Sequence, residues 1–205
     1  MKFIVLADDQ RWEALRATAP EAEWIRVKAG DSFMEDQGAD AFFNLLDNSY
    51  EMDYSNTRVP VFINAMVFSL SELKMPGNVI RVNGWQGFIE KPLWELAGKI
   101  TREARAILQY LQRQYITVPD EPGLVTGRML AMIINEAFYA KGDEVSSEAD
   151  IDTAMKLGTN YPVGPFEWSR RIGLNNIDSL LKKLSAKDPR YTAAPALEKE
   201  LMISR

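Results

Sequence analysis

The chain has 205 residues, 46% of them hydrophobic and 26% charged, which is ordinary for a globular protein of one or two small domains. Its formal net charge of −5 argues against a general nucleic-acid surface, since such a surface needs a basic face. The apolar run 3–7 is too short for a signal peptide and is followed at once by Asp8 and Asp9, and no segment approaches membrane-spanning length. We therefore expect a cytoplasmic protein with neither a membrane nor a nucleic-acid partner.

Two residue types are missing from the sequence, cysteine and histidine. Without cysteine there are no disulfides, thiolate nucleophiles or thiolate metal ligands, and we predict no metal site. Without histidine the chain lacks the commonest general acid and base, the side chain that titrates nearest neutrality. Any catalysis has to rest on carboxylates, lysine, tyrosine, serine or threonine.

Short apolar runs alternate with turns and helical pieces through the first half of the chain. The predicted strands are 2–7, 23–27, 39–46, 59–64, 78–83 and 92–97, with a further extended segment at 116–118. The predicted helices are 10–17, 69–73 and 101–115. This alternation is typical of an α/β domain whose mostly parallel sheet is covered on both faces.

A turn-forming run, Pro119-Asp120-Glu121-Pro122-Gly123, interrupts the pattern, and we place a domain boundary there. The prediction is an α/β domain over 1–118 and a helical domain over 119–205. The helices predicted beyond the boundary are 123–140, two within 146–173, one near 175–186 and a last one over 195–202.

The segment 146–173 carries clear signals for a helix, a sharp turn and a second helix. Ser146 or Ser147 is placed to cap the first helix, with Asp150 as the acidic partner of a capping box. Gly158 is expected to end that helix in a left-handed conformation. Pro165 suits the first turn of the second helix, and Gly173 is expected to end it.

Two runs in this half resemble a known family. ADIDTAMKLGTNYPVGPFEW, residues 149–168, closely resembles the signature of the C-terminal helical domain of the 3-hydroxyacyl-CoA dehydrogenases. PGLVTGRMLAMIINEAF, residues 122–138, resembles the first helix of that domain. The resemblance implies a reduced Rossmann-like, doubly wound sheet followed by the family's helical domain, through which the family forms dimers.

The family's dinucleotide loop is not recognisable. A Gly-x-Gly-x-x-Gly turn after the first strand lets the backbone approach a pyrophosphate at a helix N-terminus. Here the turn reads Ala7-Asp8-Asp9-Gln10-Arg11-Trp12, without glycine and with two carboxylates expected to repel phosphate. The second strand ends at Val27-Lys28 without an acidic residue for the adenosine ribose. We expect no cofactor, with NAD only under the alternative function given below.

The family's catalytic positions, followed by the resemblance, are all changed. Its substrate-contacting serine falls at Phe68, its general-base histidine at Gln86, the glutamate that orients the histidine at Gly98, and its asparagine at Gly127. Glutamine hydrogen-bonds but takes up no proton near neutral pH. The ligand-cleft candidates that the resemblance leaves are Ser69, Gln86, Glu95 (a carboxylate close to the glutamate position) and Arg128.

Two functions follow as hypotheses. The first is a 3-hydroxyacyl-CoA dehydrogenase-like protein without hydride transfer, which binds an acyl-CoA or another small ligand or serves in assembly. The alternative is an active NAD(P)-dependent 3-hydroxyacyl-CoA dehydrogenase of fatty-acid metabolism that uses Tyr, Lys or Glu95 in place of histidine. Nucleic-acid binding through Trp168 and Arg170-Arg171 has little support, since these arginines suit a solvated helix C-terminus.

The first helix of the second domain is apolar over more than one stripe. Its large apolar residues include Met129, Met132, Ile133, Ile134 and Phe138. Such a helix has to be covered on several sides. The sequence therefore predicts a homodimer formed through the helical domain, while core packing is the other explanation of the same pattern.

Overall fold

The computed structural model describes residues 1–28, 33 and 38–203. The chain forms two compact units, Met1–Leu124 and Val125–Arg205, called unit 1 and unit 2 below. The division lies beyond the predicted boundary at 118 because residues 119–124 are bonded to unit 1. The Asp120 carboxylate pairs with the buried guanidinium of Arg81 at 2.7 Å, and the Gly123 N–H donates to the Met66 carbonyl at 2.7 Å.

The described residues of unit 1 form one sheet and two regular helices. Its strands are β1 (Lys2–Leu6), β2 (Glu23–Val27), β3 (Ala41–Asn44), β4 (Val61–Ile63), β5 (Val79–Val82), β6 (Leu93–Ala97) and β7 (Gln114–Thr117). Helix α1 (Asp9–Arg16) follows β1, and α2 (Arg102–Tyr110) follows β6. The strand order is β2-β1-β3-β4-β5-β6-β7, and only the β5–β6 pairing is antiparallel among the described strands. This confirms the predicted reduced Rossmann-like sheet.

The two faces of the sheet are covered differently, although both are buried as predicted. Phe3 and Val5 of β1 face a core that includes Leu15 of α1 and Leu108 of α2. Ile4 and Leu6 face a second core that irregular segments cover, with Tyr54 buried in it. Within the described residues, the second face therefore packs against loops where a larger domain of this class carries helices.

Two helices predicted in unit 1 are wrong in extent or type. The helix predicted over 101–115 ends at Tyr110, because Gln112 takes a left-handed φ of 52° and the chain turns into β7 beside β6. The helix predicted over 69–73 is a set of turns, in which the Ser69 hydroxyl donates to Glu72 at 3.1 Å. The first error comes from helical spacing that pairing with β6 overrides. The second segment stays a set of turns, and Lys74 after it takes a left-handed φ of 52°.

Unit 2 is helical. It consists of α3 (Thr126–Gly142), α4 (Glu148–Gly158), α5 (Pro165–Ile172), α6 (Leu174–Ser185) and α7 (Pro195–Ile203). Leu130, Ile134 and Phe138 of α3 are buried at its centre, where the Phe138 and Phe166 rings meet at 4.9 Å. Among the residues described, no helix is long and apolar enough to cross a membrane.

Three of the four helix starts and ends predicted within 146–173 are confirmed. Ser147 caps α4 by accepting the Asp150 N–H at 3.2 Å, α5 begins at Pro165, and Gly173 ends it with a φ of 90°. The prediction for Gly158 is wrong, because this residue stays within α4 and Asn160 takes the left-handed conformation, at a φ of 56°. Asparagine tolerates that conformation better than most other residues.

Candidate functional site

The strand order of unit 1 reverses at β1, which has β2 on one side and β3 on the other. In open α/β sheets such a switch point leaves a crevice at the carboxyl ends of the strands, and ligands bind there. The turn from β1 into α1 and the segment after β3 supply the side chains at this position. They carry Asp8 and Arg11 on one side and Asp47 on the other.

The Arg11 guanidinium fills this position. Its side chain is only 6% exposed. Its Nε donates to the Gly84 carbonyl at 2.7 Å, and its terminal nitrogens pair with Asp8 at 2.8 Å and with Asp47 at 2.6 Å. All three directions of the guanidinium plane are therefore occupied by partners within unit 1.

Asn64, at the end of β4, completes the cluster. Its side-chain amide donates to Asp47 at 3.0 Å, and its carbonyl oxygen accepts the Gly84 N–H at 3.1 Å. A Cβ at position 84 would lie 2.6 Å from the Cβ of Asn64, so the close approach requires glycine. We call Asp8, Arg11, Asp47, Asn64 and Gly84 the Arg11 cluster.

The N-terminus of α1 is closed by the chain itself. An Asp8 carboxylate oxygen accepts the Arg11 N–H at 2.8 Å, as an N-cap side chain does. The neighbouring Asp9 pairs with Arg26 at 2.7 Å, and Arg26 also donates to the Ala7 carbonyl at 2.9 Å. The repulsion predicted from Asp8 and Asp9 is thus offset by two arginines, and the obstacle to an anion is occupation of the site.

These residues do not fit the pyrophosphate of a dinucleotide. That group needs free N–H donors at the start of the helix and a glycine backbone that it can approach closely. Here Asp8 caps the helix, and Arg11, held by Asp47 and Gly84, stands in the crevice. A pyrophosphate could enter only if these bonds were broken.

Two of the predicted site residues, Phe68 and Ser69, lie in the irregular segment between β4 and β5. Phe68, at the family's serine position, is half-buried and its ring meets that of Tyr50 at 5.0 Å. Ser69 is buried, and its hydroxyl bonds to Glu72 and, at 3.0 Å, to Ser71. The Ser69 hydroxyl therefore stabilises the turn in which it lies, and it is not bonded to Gln86 or Glu95.

The histidine and glutamate positions carry no acid–base pair. Gln86 is half-buried in the turns after β5, and its side chain makes no hydrogen bond within the described part of the chain. Gly98 has a φ of 115°, and a Cβ there would lie 2.9 Å from both the Leu70 side chain and the Val79 carbonyl. A glutamate does not fit at position 98 in this backbone. Glu95 is half-buried within β6 and has an interacting partner of its own.

In unit 2, two further predicted positions lie in the first turn of α3. Gly127 is buried there and offers no side chain for catalysis. Arg128 is half-buried, with its guanidinium 5.2 Å from the centre of the Tyr191 ring.

Asp152, which sequence analysis did not single out, explains much of the signature. It is 4% exposed, and its carboxylate accepts the Phe166 N–H at 2.8 Å and the Glu167 N–H at 3.1 Å. Since Gly164 has no side chain to cap α5, a carboxylate from α4 takes that role. A Cβ at position 164 would lie 2.3 Å from the Asp152 carboxylate, so glycine is required there.

Glu167, in the first turn of α5, also connects α5 to α4. It accepts the Gly164 N–H at 3.1 Å and pairs with Lys156 of α4 at 2.6 Å. The bond from Lys156 and then that from Gly164 hold the pKa of the Glu167 carboxyl below its ordinary value. The signature residues are therefore joined in a structural network between α4 and α5.

Comparison with known proteins identifies this helical unit. Residues 123–204 match the family model described as "3-hydroxyacyl-CoA dehydrogenase, C-terminal domain". The helical unit belongs to the 3-hydroxyacyl-CoA dehydrogenase family. The predicted resemblance is thereby confirmed.

Curated relatives agree with this assignment. The chain is 46% identical over 84 residues to 3-hydroxyadipyl-CoA dehydrogenase of Escherichia coli, which covers 41% of this chain and 18% of that protein. It is 33% identical over 140 residues to 3-hydroxybutyryl-CoA dehydrogenase of Clostridioides difficile, which covers 63% of this chain and 49% of that protein. The chain thus spans about half or less of the length of these two relatives.

Solved structures resemble the fold. M. tuberculosis FadB2 has a TM-score of 0.79 at 15% identity, with 99% of this chain and 94% of that one covered. The (S)-3-hydroxybutyryl-CoA dehydrogenase PaaH1 from Ralstonia eutropha has a TM-score of 0.73 at 18% identity, with the same coverage. At these identities the likeness concerns the fold alone.

Proposed function

We propose that this protein is a 3-hydroxyacyl-CoA dehydrogenase homologue that performs no hydride transfer and acts as a ligand-binding or assembly protein. The observation that carries the proposal is the Arg11 cluster, which occupies the switch point with the chain's own side chains. A cofactor that entered there would have to break the bonds of Arg11 to Asp8, Asp47 and Gly84. The small ligand that we propose, an acyl-CoA or a related molecule, rests on the family resemblance.

The catalytic positions support the same proposal. Oxidation of a 3-hydroxyl group by hydride transfer requires a base for the hydroxyl proton, and loss of a catalytic base usually lowers the rate by orders of magnitude. Gln86 cannot act as that base, and the backbone at Gly98 excludes an orienting carboxylate.

An active NAD(P)-dependent 3-hydroxyacyl-CoA dehydrogenase is the second candidate function. It is favoured by the similarity to the C. difficile enzyme, whose 140-residue match is longer than unit 2 and so includes part of unit 1. Under this function Glu95 on β6 is the carboxylate nearest in sequence to the family's glutamate position. The two candidates differ in whether the chain turns over a hydroxyacyl-CoA.

The test is oxidation of 3-hydroxybutyryl-CoA with NAD⁺ or NADP⁺, followed by absorbance of the reduced nicotinamide. We expect no rate above the rate without protein, because no base is in place and the cofactor position is filled. The C. difficile relative, assayed in the same buffer, is the positive control. Turnover that disappears in Gln86→Ala or Glu95→Gln would instead establish the active enzyme.

We further propose that unit 2 forms a homodimer. Ile134 and Phe138 are part of its own core, which accounts for two of the five large apolar residues that led to the prediction. Met129, however, is 59% exposed, and an open cavity of about 290 Å³ lies between α3, α4 and α5. Its apolar lining consists of Ile133, Ala137, Ala140, Ile151, Met155 and Pro165. A second copy that covers this face would remove it from water.

Light scattering at micromolar concentration tests the dimer. We expect twice the chain mass for the unmodified protein and a shift toward the monomer in Met129→Glu, since a buried charge opposes association. Met202→Glu, at an exposed position on α7, is the matched control and should leave the mass unchanged. A clean monomer for the unmodified chain would contradict the proposal.

A further inference from the structure

Arg128 differs from several other basic residues of unit 2. Those residues have acidic partners: Lys141 with Glu148 and Glu200, Lys156 with Glu167, Lys182 with Asp178, and Arg190 with Asp188. Arg128 makes no hydrogen bond or ion pair within residues 1–28, 33 and 38–203. Its Nε–H is buried and has no acceptor.

Such a donor points to an acceptor that the chain itself does not supply. A buried N–H of a charged group that lacks an acceptor is costly, so native structures rarely keep one. A guanidinium presents its Nε–H and a terminal N–H in parallel, and this pair matches two oxygens of a carboxylate or phosphate.

The surroundings hold the guanidinium in place and add positive charge. Arg128 lies on the ring of Tyr191, which is 4% exposed and therefore gives a fixed support. Arg190 lies over the same ring at 4.7 Å and donates to its hydroxyl at 2.7 Å. Arg128 is also in the first turn of α3, where no side chain caps the helix, so the positive end of the helix dipole adds to its field.

We propose that Arg128 binds an oxyanion, either a carboxylate or a phosphate group of a small molecule, through its Nε–H and a terminal N–H. Tyr191 orients the guanidinium, and Arg190, itself paired with Asp188, holds the Tyr191 hydroxyl. This site does not involve the nicotinamide cofactor. Its test can therefore fail while the proposed absence of hydride transfer holds, and the reverse is also true.

Nitrogen-edited NMR of the arginine side chains tests the site on the intact chain. The Nε–H signal of Arg128 is followed while sodium acetate or sodium phosphate replaces sodium chloride at constant ionic strength. We expect a saturable shift, reached at lower concentration with acetate if the site takes a carboxylate and with phosphate if it takes a phosphate. The absence of a saturable shift with both anions would overturn the proposal.

Two variants assign the effect to the guanidinium. Arg128→Lys keeps the charge but loses the paired donors, so the affinity, read from the backbone amides of residues 126–129, should fall about tenfold. Arg171→Lys is the matched control, because Arg171 also lies over an aromatic ring, that of Trp168, but is exposed. Equal affinity in Arg128→Lys and the unmodified chain would contradict the proposal. If Arg128→Lys does not fold, the titration of the unmodified chain decides alone.

Discussion

The Arg11 guanidinium lies at the switch point of the sheet beside the start of α1, the region in which dinucleotide-binding domains bind a pyrophosphate. A buried arginine is stabilised only while its partners stay in place, and here these are two carboxylates and a main-chain carbonyl. The cluster also needs glycine at position 84, because Asn64 packs directly against it. The residues of the Arg11 cluster therefore join the ends of β1, β3, β4 and β5.

Replacing Arg11 tests whether the cluster stabilises unit 1. We expect Arg11→Met to lower the free energy of unfolding by about 2 kcal/mol, because the Gly84 carbonyl and the Asp47 carboxylate lose a charged donor. Urea unfolding followed by tryptophan fluorescence measures this, since four of the five tryptophans (Trp12, Trp24, Trp85 and Trp94) are in unit 1.

Arg16→Met is the matched control for Arg11→Met. Arg16 is on the same helix but exposed, and its pair with Glu13 at 3.6 Å is at the surface, so we expect a change within about 0.5 kcal/mol. Equal destabilisation by the two substitutions would show that the Arg11 cluster has no special role in the stability of unit 1.

Single residues of the Arg11 cluster could not be found from the sequence. Asp47, Asn64 and Gly84 are far from Arg11 along the chain, and only Asp8, three residues before it, is a local partner. The missing glycine loop was visible in the sequence, and the absence of a bound cofactor that it predicts stays a prediction. The pair of Asp9 with Arg26 was not predicted, because it depends on β2 lying beside β1, and the local pair of Asp8 with Arg11 was missed.

At the scale of elements, α4 and α5 are joined by a cap that comes from another helix. Asp152 of α4 accepts the first free N–H groups of α5, while Glu167 of α5 binds back to Lys156. The spacing from Asp152 to Gly164 and Phe166 is thus fixed by hydrogen bonding and by lack of space for a side chain. This gives the signature a structural meaning that does not require catalysis.

Removing the cap tests this account of the signature. We expect Asp152→Ala to destabilise unit 2 by about 2–3 kcal/mol, since a buried charged acceptor of two N–H groups is lost. Hydrogen exchange of the Phe166 and Glu167 amides should speed up most. Asp143→Ala, at an exposed position after α3, is the control; unchanged protection of the two amides in Asp152→Ala would refute the account.

The elements themselves were largely predictable where the apolar pattern is strong. The first and last residues of β2 and the start of α5 were predicted correctly, since turn and cap residues mark them. The helix predicted over 101–115 continued too far, because the residues of β7 have helical spacing in sequence and a strand partner only in three dimensions. The prediction that Gly158 ends α4 was wrong because Asn160, two residues later, takes the left-handed conformation.

At the scale of the whole molecule, a fold like that of a solved 3-hydroxybutyryl-CoA dehydrogenase is combined with the Arg11 cluster at the switch point of the sheet. The family assignment rests on the helical unit, which matches the family model, while the sheet keeps only the reversal of strand order that creates a switch point. A fold does not fix a function, so the chemistry has to be judged from the residues at that point. Those residues favour a protein that binds or assembles without transferring a hydride.

Calorimetric titration of the intact chain with NADH tests this central claim most directly. We expect no saturable heat at NADH concentrations at which the C. difficile relative saturates, because Asp8 and Arg11 already occupy the position of the pyrophosphate. A micromolar dissociation constant for NADH would contradict the account and support the active dehydrogenase.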